Sequence, residues 1–167
     1  MVVKEEKKLE KEIVTGISVS DNEANVSLKG IPDKPGIAGE IFSLLSQANI
    51  NVDMIVQNIS QDGINANMTF TVPNNEINLA KEILRENIDK IMYKTLKTDE
   101  NVSKISVIGM GMMSQSGVAK KMFTTLADNS INILAISTSE IKISVLIDKK
   151  FTKIAVKSLH EAYNLSN

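Results

Sequence analysis

The stretch IPDKPGIAGEIFSLLSQANINVDMI, residues 31–55, has a second copy 81 residues later, MMSQSGVAKKMFTTLADNSINILAI, residues 112–136. The two copies share glycine and apolar positions: Gly36 and Gly117, Ala38 and Ala119, Phe42 and Phe123, Leu45 and Leu126. The apolar residues of the first copy recur at the spacing of an amphipathic helix over residues 36–48. The repeat predicts a duplicated structural unit built around this helix.

Around the first helix the sequence predicts the order β-α-β-β-α-β over residues 24–98. Its strands are predicted at NVSLKG (25–30), NVDMIVQNI (51–59), INANMTFTV (64–72) and IMYKTLKT (91–98). Asn74 and Asn75 are expected to cap a second helix that ends near Asp89. This order is typical of the ferredoxin-like unit, a four-stranded antiparallel sheet with two helices on one face.

The second copy, residues 103–165, follows the same order but stops after a helix at 151–163, before its fourth strand. That omission would leave an unpaired sheet edge. A strand at 13–20, separated from NVSLKG by the turn-like SDNEA, is left over from the first unit. We therefore predict an α+β protein with two units in tandem, the second completed by the N-terminal strand.

The composition excludes several classes of function and binding site. The 167 residues include 19 basic and 20 acidic side chains and no cysteine. This charge balance gives no electrostatic footprint for nucleic acid or an anionic membrane, and the lack of cysteine excludes disulfides and zinc–thiolate sites. No apolar run approaches the length of a membrane span. We expect a cytoplasmic protein in which the charged residues 1–12 form a tail or linker.

Three stretches are candidates for ligand binding. Pro35-Gly36 stands at the turn into the first helix, where free N–H groups favour a carboxylate, although a plain strand-to-helix turn fits as well. Asn51–Asp53 and Asn132-Ile133 begin the strand after each first helix and are expected beside that helix's N-terminus, although asparagine-rich turns are common there. Ser137–Glu140 is either a partner for a ligand ammonium group or a polar hairpin tip.

No catalytic centre can be assembled from this sequence. GMGMM (109–113) lacks the third glycine of a dinucleotide site. His160 is the only histidine and has no carboxylate or cysteine constellation near it in sequence. We predict neither catalytic residues nor a metal site.

Several motifs together carry a family resemblance: VTGI, GIPDKPGIAGEIF, INVDMIVQNIS, KISVIGMGM, GVAKKMF, INILAISTSEIKISVLI and LHEAYNL. Together they resemble the regulatory region of aspartate kinase, which has two ACT domains of βαββαβ topology. The family's kinase domain, which phosphorylates aspartate with ATP and carries a Lys-Phe-Gly-Gly motif, is missing here. The resemblance implies a non-catalytic chain, either a separate small β subunit or a fragment, with ATP and magnesium belonging to the missing domain.

The resemblance also implies ligands and partners. The family's feedback effectors are lysine, threonine or both, bound where the ACT domains of two chains meet. A homodimer and a catalytic domain or α subunit are the expected partners. Carried over by motif, the effector-binding positions are Asp33, Lys34, Pro35, Gly36, Ile37, Ala38, Asp53, Gln57, Asn58, Ser60, Thr69, Met113, Ser114, Gly117, Val118, Asn132, Ile133, Thr138, Ser139 and Glu140. Gln115-Ser116 stands where the family often has His-Pro or Asn-Pro.

Other functions fit the same fold. One is another ACT-type sensor, such as the valine-responsive regulatory subunit of acetolactate synthase, against which the STSE stretch argues. A second is a purely structural dimerisation module. An acylphosphatase-like enzyme is disfavoured because the only arginine, Arg85, falls in a predicted helix rather than in a glycine-rich loop.

Overall fold

A computed structural model describes residues 14–59, 61, 63–109 and 115–165. The chain divides into two compact units. We call Asn22–Val102 the inserted unit. The described residues of Met1–Asp21 and Ser103–Asn167 form the discontinuous unit.

The inserted unit follows the predicted β-α-β-β-α-β order. Its strands are the second part of β1 (Val14–Pro32), β2 (Asp53–Ile59), β3 (Asn65–Val72) and the first part of β4 (Thr95–Gly109). Its helices are α1 (Ile37–Gln47), α2 (Ile77–Glu86) and the single turn α3 (Ile88–Ile91). The strand order β2-β3-β1-β4 is that of a ferredoxin-like sheet.

The discontinuous unit repeats this plan with a strand from each end of its sequence. It contains the second part of β4, α4 (Gln115–Asp128), β5 (Ala135–Thr138), β6 (Lys142–Asp148) and α5 (Thr152–Ala162). The first part of β1 lies next to β4, in the order β1-β4-β6-β5. The Thr15 hydroxyl donates to the Ile108 carbonyl at 3.2 Å. The prediction that the N-terminal strand completes this unit is confirmed.

Each unit has its own hydrophobic core between sheet and helices. In the inserted unit every second residue of β3, Met68, Phe70 and Val72, is buried against α1 and α2, as a strand with one covered face requires. Phe70 also meets the ring of Phe42 edge to face, with 5.5 Å between the ring centroids. The core of the discontinuous unit includes Val14, Met122, Leu126, Ile143 and Leu159. The apolar face of each helix and the alternation of each strand thus bury one contiguous core per unit.

Local turn signals misled the prediction of two strands. SDNEA was expected to be a turn, but β1 runs through it without a break, because Ala24 pairs with Val72 and both Glu23 and Ala24 are buried. The strand expected at 91–98 and the first strand of the second copy are likewise one strand, β4, which begins only at Thr95. Ile91 ends α3, and Met92 follows with a positive φ of 60°. Pairing with neighbouring strands overrides local propensity at these positions.

Two further boundaries differ from expectation. Asn74 and Asn75 lie in a short 3₁₀ turn, Asn74–Glu76, and no side-chain hydrogen bond caps that turn or α2. The Asn75 N–H instead donates to the Asn22 side chain at 3.4 Å. β5 begins at Ala135, so Asn132 and Ile133, which were expected to begin this strand, precede it. Within the described part of the chain, no helix is long and apolar enough to cross a membrane.

The role of the N-terminal strand can be tested by placing a charge in the core. Val14 is buried in the discontinuous unit, so we expect Val14→Asp to lower the free energy of unfolding by about 3 kcal/mol, since a carboxylate loses its hydration there. Ser18→Asp, on the same strand but exposed, should change it by less than about 0.5 kcal/mol. Urea unfolding followed by circular dichroism measures both; equal effects would contradict the burial of Val14.

Candidate functional site

The N-terminus of α1 presents backbone donors at the surface of the inserted unit. Gly36 precedes the helix with φ 96° and ψ −18°, and no side chain caps this end. The first helical hydrogen bond runs from the Glu40 N–H to the Gly36 carbonyl at 2.9 Å. The N–H groups before Glu40 have no partner within the helix, and the helix dipole gives them a partial positive charge. This end of α1 therefore favours an anionic group.

The exposed turn before α1, Asp33 to Gly36, is fixed to the end of the sheet. The Asp33 N–H donates to the Ile64 carbonyl, and the Lys34 N–H to the Pro32 carbonyl, both at 3.0 Å. Strand pairing brings the last residues of β1 and β2 to the first residues of β3, since Pro32 pairs with Asn65 and Ile59 with Ala66. The turn, the start of α1 and the end of β2 thus lie at one end of the unit.

The predicted residues on β2 and β3 fall on both faces of the sheet. Gln57 pairs with Met68, a core residue packed with α1, so its side chain is on the helix-covered face. Neighbouring residues of a strand point to opposite faces of the sheet. Thr69 follows Met68 on β3 and Asn58 follows Gln57 on β2, so Thr69 and Asn58 are on the opposite face. Of these three, Gln57 alone shares a face of the sheet with α1.

Asp53 lies at the other end of the unit. It begins β2, pairs with Thr71 and accepts a hydrogen bond from the Met54 N–H at 2.8 Å. The chain reaches β2 from the C-terminus of α1, whose 11 residues rise about 16 Å. The expectation that Asn51–Asp53 lie beside the helix N-terminus is wrong, because a strand that follows a helix starts where that helix ended.

The discontinuous unit also has a helix start and a hairpin at one end, but its glycine lies inside the helix rather than before it. Gly117 and Val118 lie in the first turn of α4. The hairpin between β5 and β6 carries Thr138 at the end of β5 and Glu140 at its exposed tip. Inside this hairpin the Ser139 N–H donates to the Lys142 carbonyl at 2.8 Å. The Gly109 N–H donates to the Ile141 carbonyl at 2.7 Å, so the hairpin lies at the end of β4 that leads toward α4.

Asn132 and Ile133 follow the C-terminus of α4, as Asp53 follows that of α1. The Ile131 N–H donates to the Leu126 carbonyl in the last turn of that helix, at 2.9 Å. The expected position of Asn132-Ile133 beside the helix N-terminus is therefore also wrong. Ser60, Met113 and Ser114 lie outside the described residues.

Two of the predicted residues can serve a ligand only through their backbone. The side chains of Ile37 and Val118 are buried in the cores of their units. Asp33, Lys34, Gln57 and Glu140 are exposed and can offer side chains. Within the described residues, no group of three or more histidine, aspartate or glutamate side chains could hold a metal ion.

The sequence interpretation missed the exposed apolar side chains in and beside an edge strand of each unit. Ile55, Ile59 and Ile64 are exposed in and beside β2, and Leu134, Ile136 and Ile141 are exposed in and beside β5. A signal was present, because Ile55 and Ile136 occupy the same position in the 81-residue repeat. The sequence interpretation placed both residues in strands but did not consider which of the strand residues would be exposed.

Comparison with known proteins agrees with this geometry. The ACT domain family model matches residues 24–88 and 105–163. A chain in the crystal structure of aspartokinase alpha and beta subunits is 47% identical with a TM-score of 0.84, over 91% of this chain and 99% of that one. The chain belongs to the ACT-domain regulatory region of aspartate kinases. The ligand-free regulatory subunit of aspartate kinase from Thermus thermophilus is also similar, with 35% identity, a TM-score of 0.84 and coverage of 90% and 98%.

Longer aspartate kinases match the same region. An aspartate kinase of Pseudomonas fluorescens is 44% identical over 99% of this chain but only 40% of its own length. An aspartokinase of Helicobacter pylori is 48% identical over 95% of this chain and 38% of its own. The ACT region therefore spans about two fifths of these relatives, and the resemblance drawn from the motifs is confirmed.

The glycine that begins α1 can be tested against a matched glycine in the same ACT unit. A side chain at Gly36 or Gly39 would meet no atom within 4 Å, but only Gly36 has a positive φ. We expect Gly36→Ala to destabilise the protein by about 1–2 kcal/mol through backbone strain. Gly39→Ala, inside the helix, should stabilise it by about 0.5–1 kcal/mol. Denaturant unfolding measures the difference, and two changes of the same sign would contradict the backbone conformation of Gly36.

Proposed function

We propose that this chain senses end-product amino acids, lysine, threonine or both, and mediates feedback inhibition of aspartate phosphorylation. The observation that carries the proposal is the exposed Gly36 turn, which offers uncapped helix N–H groups beside open space. The repeat places Gly117 in the first turn of α4, the corresponding helix of the discontinuous unit. Both helices belong to a chain similar to aspartate kinase regulatory subunits.

The ligand's carboxylate is assigned to the helix starts. At Gly36 the missing side chain leaves the first N–H groups of α1 accessible. A carboxylate there accepts hydrogen bonds from groups that otherwise contact only water, and it lies at the positive end of the helix dipole. The burial of Ile37 and Val118 agrees with a site that uses backbone rather than side-chain atoms at these positions.

The ligand's positive charges require acceptors. The side-chain oxygen of Gln57, on the helix-covered face near the end of β2, is a candidate partner for the α-ammonium group. A lysine ligand carries a second charge, for which the exposed carboxylates of Asp33 and Glu140 are the candidates. Threonine carries no second charge, so these carboxylates would favour lysine over threonine.

A complete site is proposed to need two copies of the chain. Within each unit the helix start lies at one end, whereas Asp53 in one unit and Asn132-Ile133 in the other lie at the opposite end. Residues so far apart contact one ligand only if a second chain contributes one group of them. The proposed effector sites therefore lie between protomers of a two-fold dimer.

The exposed apolar edges support this dimer. β2, an edge strand of the inserted unit, bears the exposed Ile55 and Ile59, and β5, an edge strand of the discontinuous unit, bears the exposed Ile136. An edge strand with apolar side chains and unpaired backbone groups is a template for strand pairing with another chain. We assign these edges to side-by-side pairing of ACT sheets in a homodimer.

Effector binding would regulate the catalytic part because it is thermodynamically linked to the arrangement of the dimer. An effector that binds one arrangement of the dimer better than another shifts the population toward it. A coupling of about 1–3 kcal/mol to the catalytic part would change its substrate affinity roughly 5- to 150-fold. The catalytic domain or α subunit is the proposed partner, and ATP and magnesium would bind there, with no cofactor in this chain.

The proposal predicts a selective role for Glu140. Glu140→Gln keeps the shape of the side chain but removes the charge, so we expect lysine affinity to fall about tenfold or more. Threonine affinity should stay unchanged, because threonine lacks the second ammonium group. Isothermal titration of the chain with each amino acid measures both affinities.

Glu86→Gln, an exposed glutamate on α2, is the matched control and should leave both affinities unchanged. Unchanged lysine affinity in Glu140→Gln would exclude this residue as the partner. A thermal-shift series of the unaltered chain with lysine, threonine, both and valine tests the function itself, since ligand at about 100 times its Kd should stabilise the fold by roughly 2.7 kcal/mol. No shift with lysine or threonine would refute the proposal.

The dimer is tested separately. Ile136→Lys places a charge on the exposed edge of β5 and should weaken dimerisation about tenfold or more, because the change occurs twice in a two-fold interface. Ile154→Lys is the control, since both isoleucines are 44% exposed but Ile154 lies on α5. Sedimentation equilibrium measures the association, and a dimer equally stable in both variants would rule out the β5 edge as the interface.

A further inference from the structure

The hydroxyl group of Tyr163 is hydrogen-bonded to the first turn of α4. Tyr163 directly follows α5, and its hydroxyl donates to the Val118 carbonyl at 2.6 Å. Its ring packs against the core of the discontinuous unit, and the Lys121 ammonium lies 5.5 Å from the ring centroid. One side chain thus connects the end of α5 to the start of α4.

This hydrogen bond acts at the turn that begins the helix. The Val118 carbonyl is also the helical acceptor for the N–H of Met122, four residues on. Burial raises the pKa of Tyr163 above its ordinary value, so the hydroxyl keeps its proton and remains a donor. The first turn of α4 is therefore stabilised by the Tyr163 hydrogen bond as well as by the backbone hydrogen bonds of the helix.

The other tyrosine of the chain makes a similar bond in a different place. The Tyr93 hydroxyl donates to the Leu84 carbonyl at 3.1 Å, near the C-terminal end of α2 in the inserted unit. It contacts a helix end that carries none of the proposed effector positions. The chain has two tyrosines, so it supplies its own control.

We propose that Tyr163 is a positioning residue for the effector site of the discontinuous unit. Its hydroxyl fixes the first turn of α4, so that the free backbone N–H groups of that turn, that of Gly117 among them, are in place before the ligand's carboxylate arrives. Preorganised donors bind more tightly because less ordering is required on binding. This inference rests on the proposed function, since it assumes that the start of α4 receives an effector.

The experiment compares Tyr163→Phe with Tyr93→Phe in the full chain. Both variants keep the ring and lose one hydroxyl that donates to a helix carbonyl. Hydrogen exchange without ligand should show faster exchange of the Met122 amide, by roughly 2- to 10-fold, in Tyr163→Phe only. Titration with lysine, threonine and both together should show about 3- to 10-fold weaker binding of at least one effector in Tyr163→Phe and no change in Tyr93→Phe.

The two readouts separate the possible failures. Unchanged exchange at Met122 overturns the positioning role whatever the ligand results are. Faster exchange with unchanged effector affinity, in a chain that binds effector, shows that Tyr163 only stabilises the fold. An unaltered chain that binds neither amino acid overturns the proposed function, and with it an effector role for Tyr163, even if the exchange result is as expected.

Discussion

Both units depend on the hydrogen bonding between β1 and β4. In the inserted unit β1 is a central strand and β4 is its edge, whereas in the discontinuous unit these roles are exchanged. In the first case the N–H of Lys94, the residue before β4, donates to the Lys29 carbonyl of β1, and in the second the Thr15 hydroxyl of β1 donates to the Ile108 carbonyl of β4. Without this pairing each unit would have three strands and an uncovered core.

The antiparallel connections determine where ligand-binding groups can meet. At one end of each unit, the end of the first strand meets the start of the helix that follows it and the hairpin beside that strand. In the inserted unit this places Gly36 near the end of β2. In the discontinuous unit it places the start of α4 at the same end as Glu140. The strand that follows the helix begins at the other end, where Asp53 and Asn132 lie. The topology alone thus divides the family-derived site residues into two groups, and this division is why we propose sites shared between copies.

The two copies of the unit are not equivalent. The residues between β2 and β3 number five, 60–64, whereas those between β5 and β6 number three, 139–141. The inserted unit has an aspartate, Asp33, in the turn before its first helix, whereas the discontinuous unit has a glutamate, Glu140, at its hairpin tip. The Tyr163 hydrogen bond connects α5 to the first turn of α4, and the comparable tyrosine of the inserted unit contacts the far end of α2 instead. Duplication supplied two helix starts, and divergence gave them different surroundings.

Several features could be predicted from the amino-acid sequence: the duplicated unit, the amphipathic helices α1 and α4, the leftover N-terminal strand and the glycine before α1. Each of these follows from local periodicity or from simple counting of strands. Other features become visible only in the folded chain: SDNEA is strand, Asp53 and Asn132 lie away from the helix starts, Ile55 and Ile136 are exposed, and Tyr163 contacts Val118. These features depend on which segments pair across the sheet, and neighbours distant in sequence leave no periodic signal in the chain.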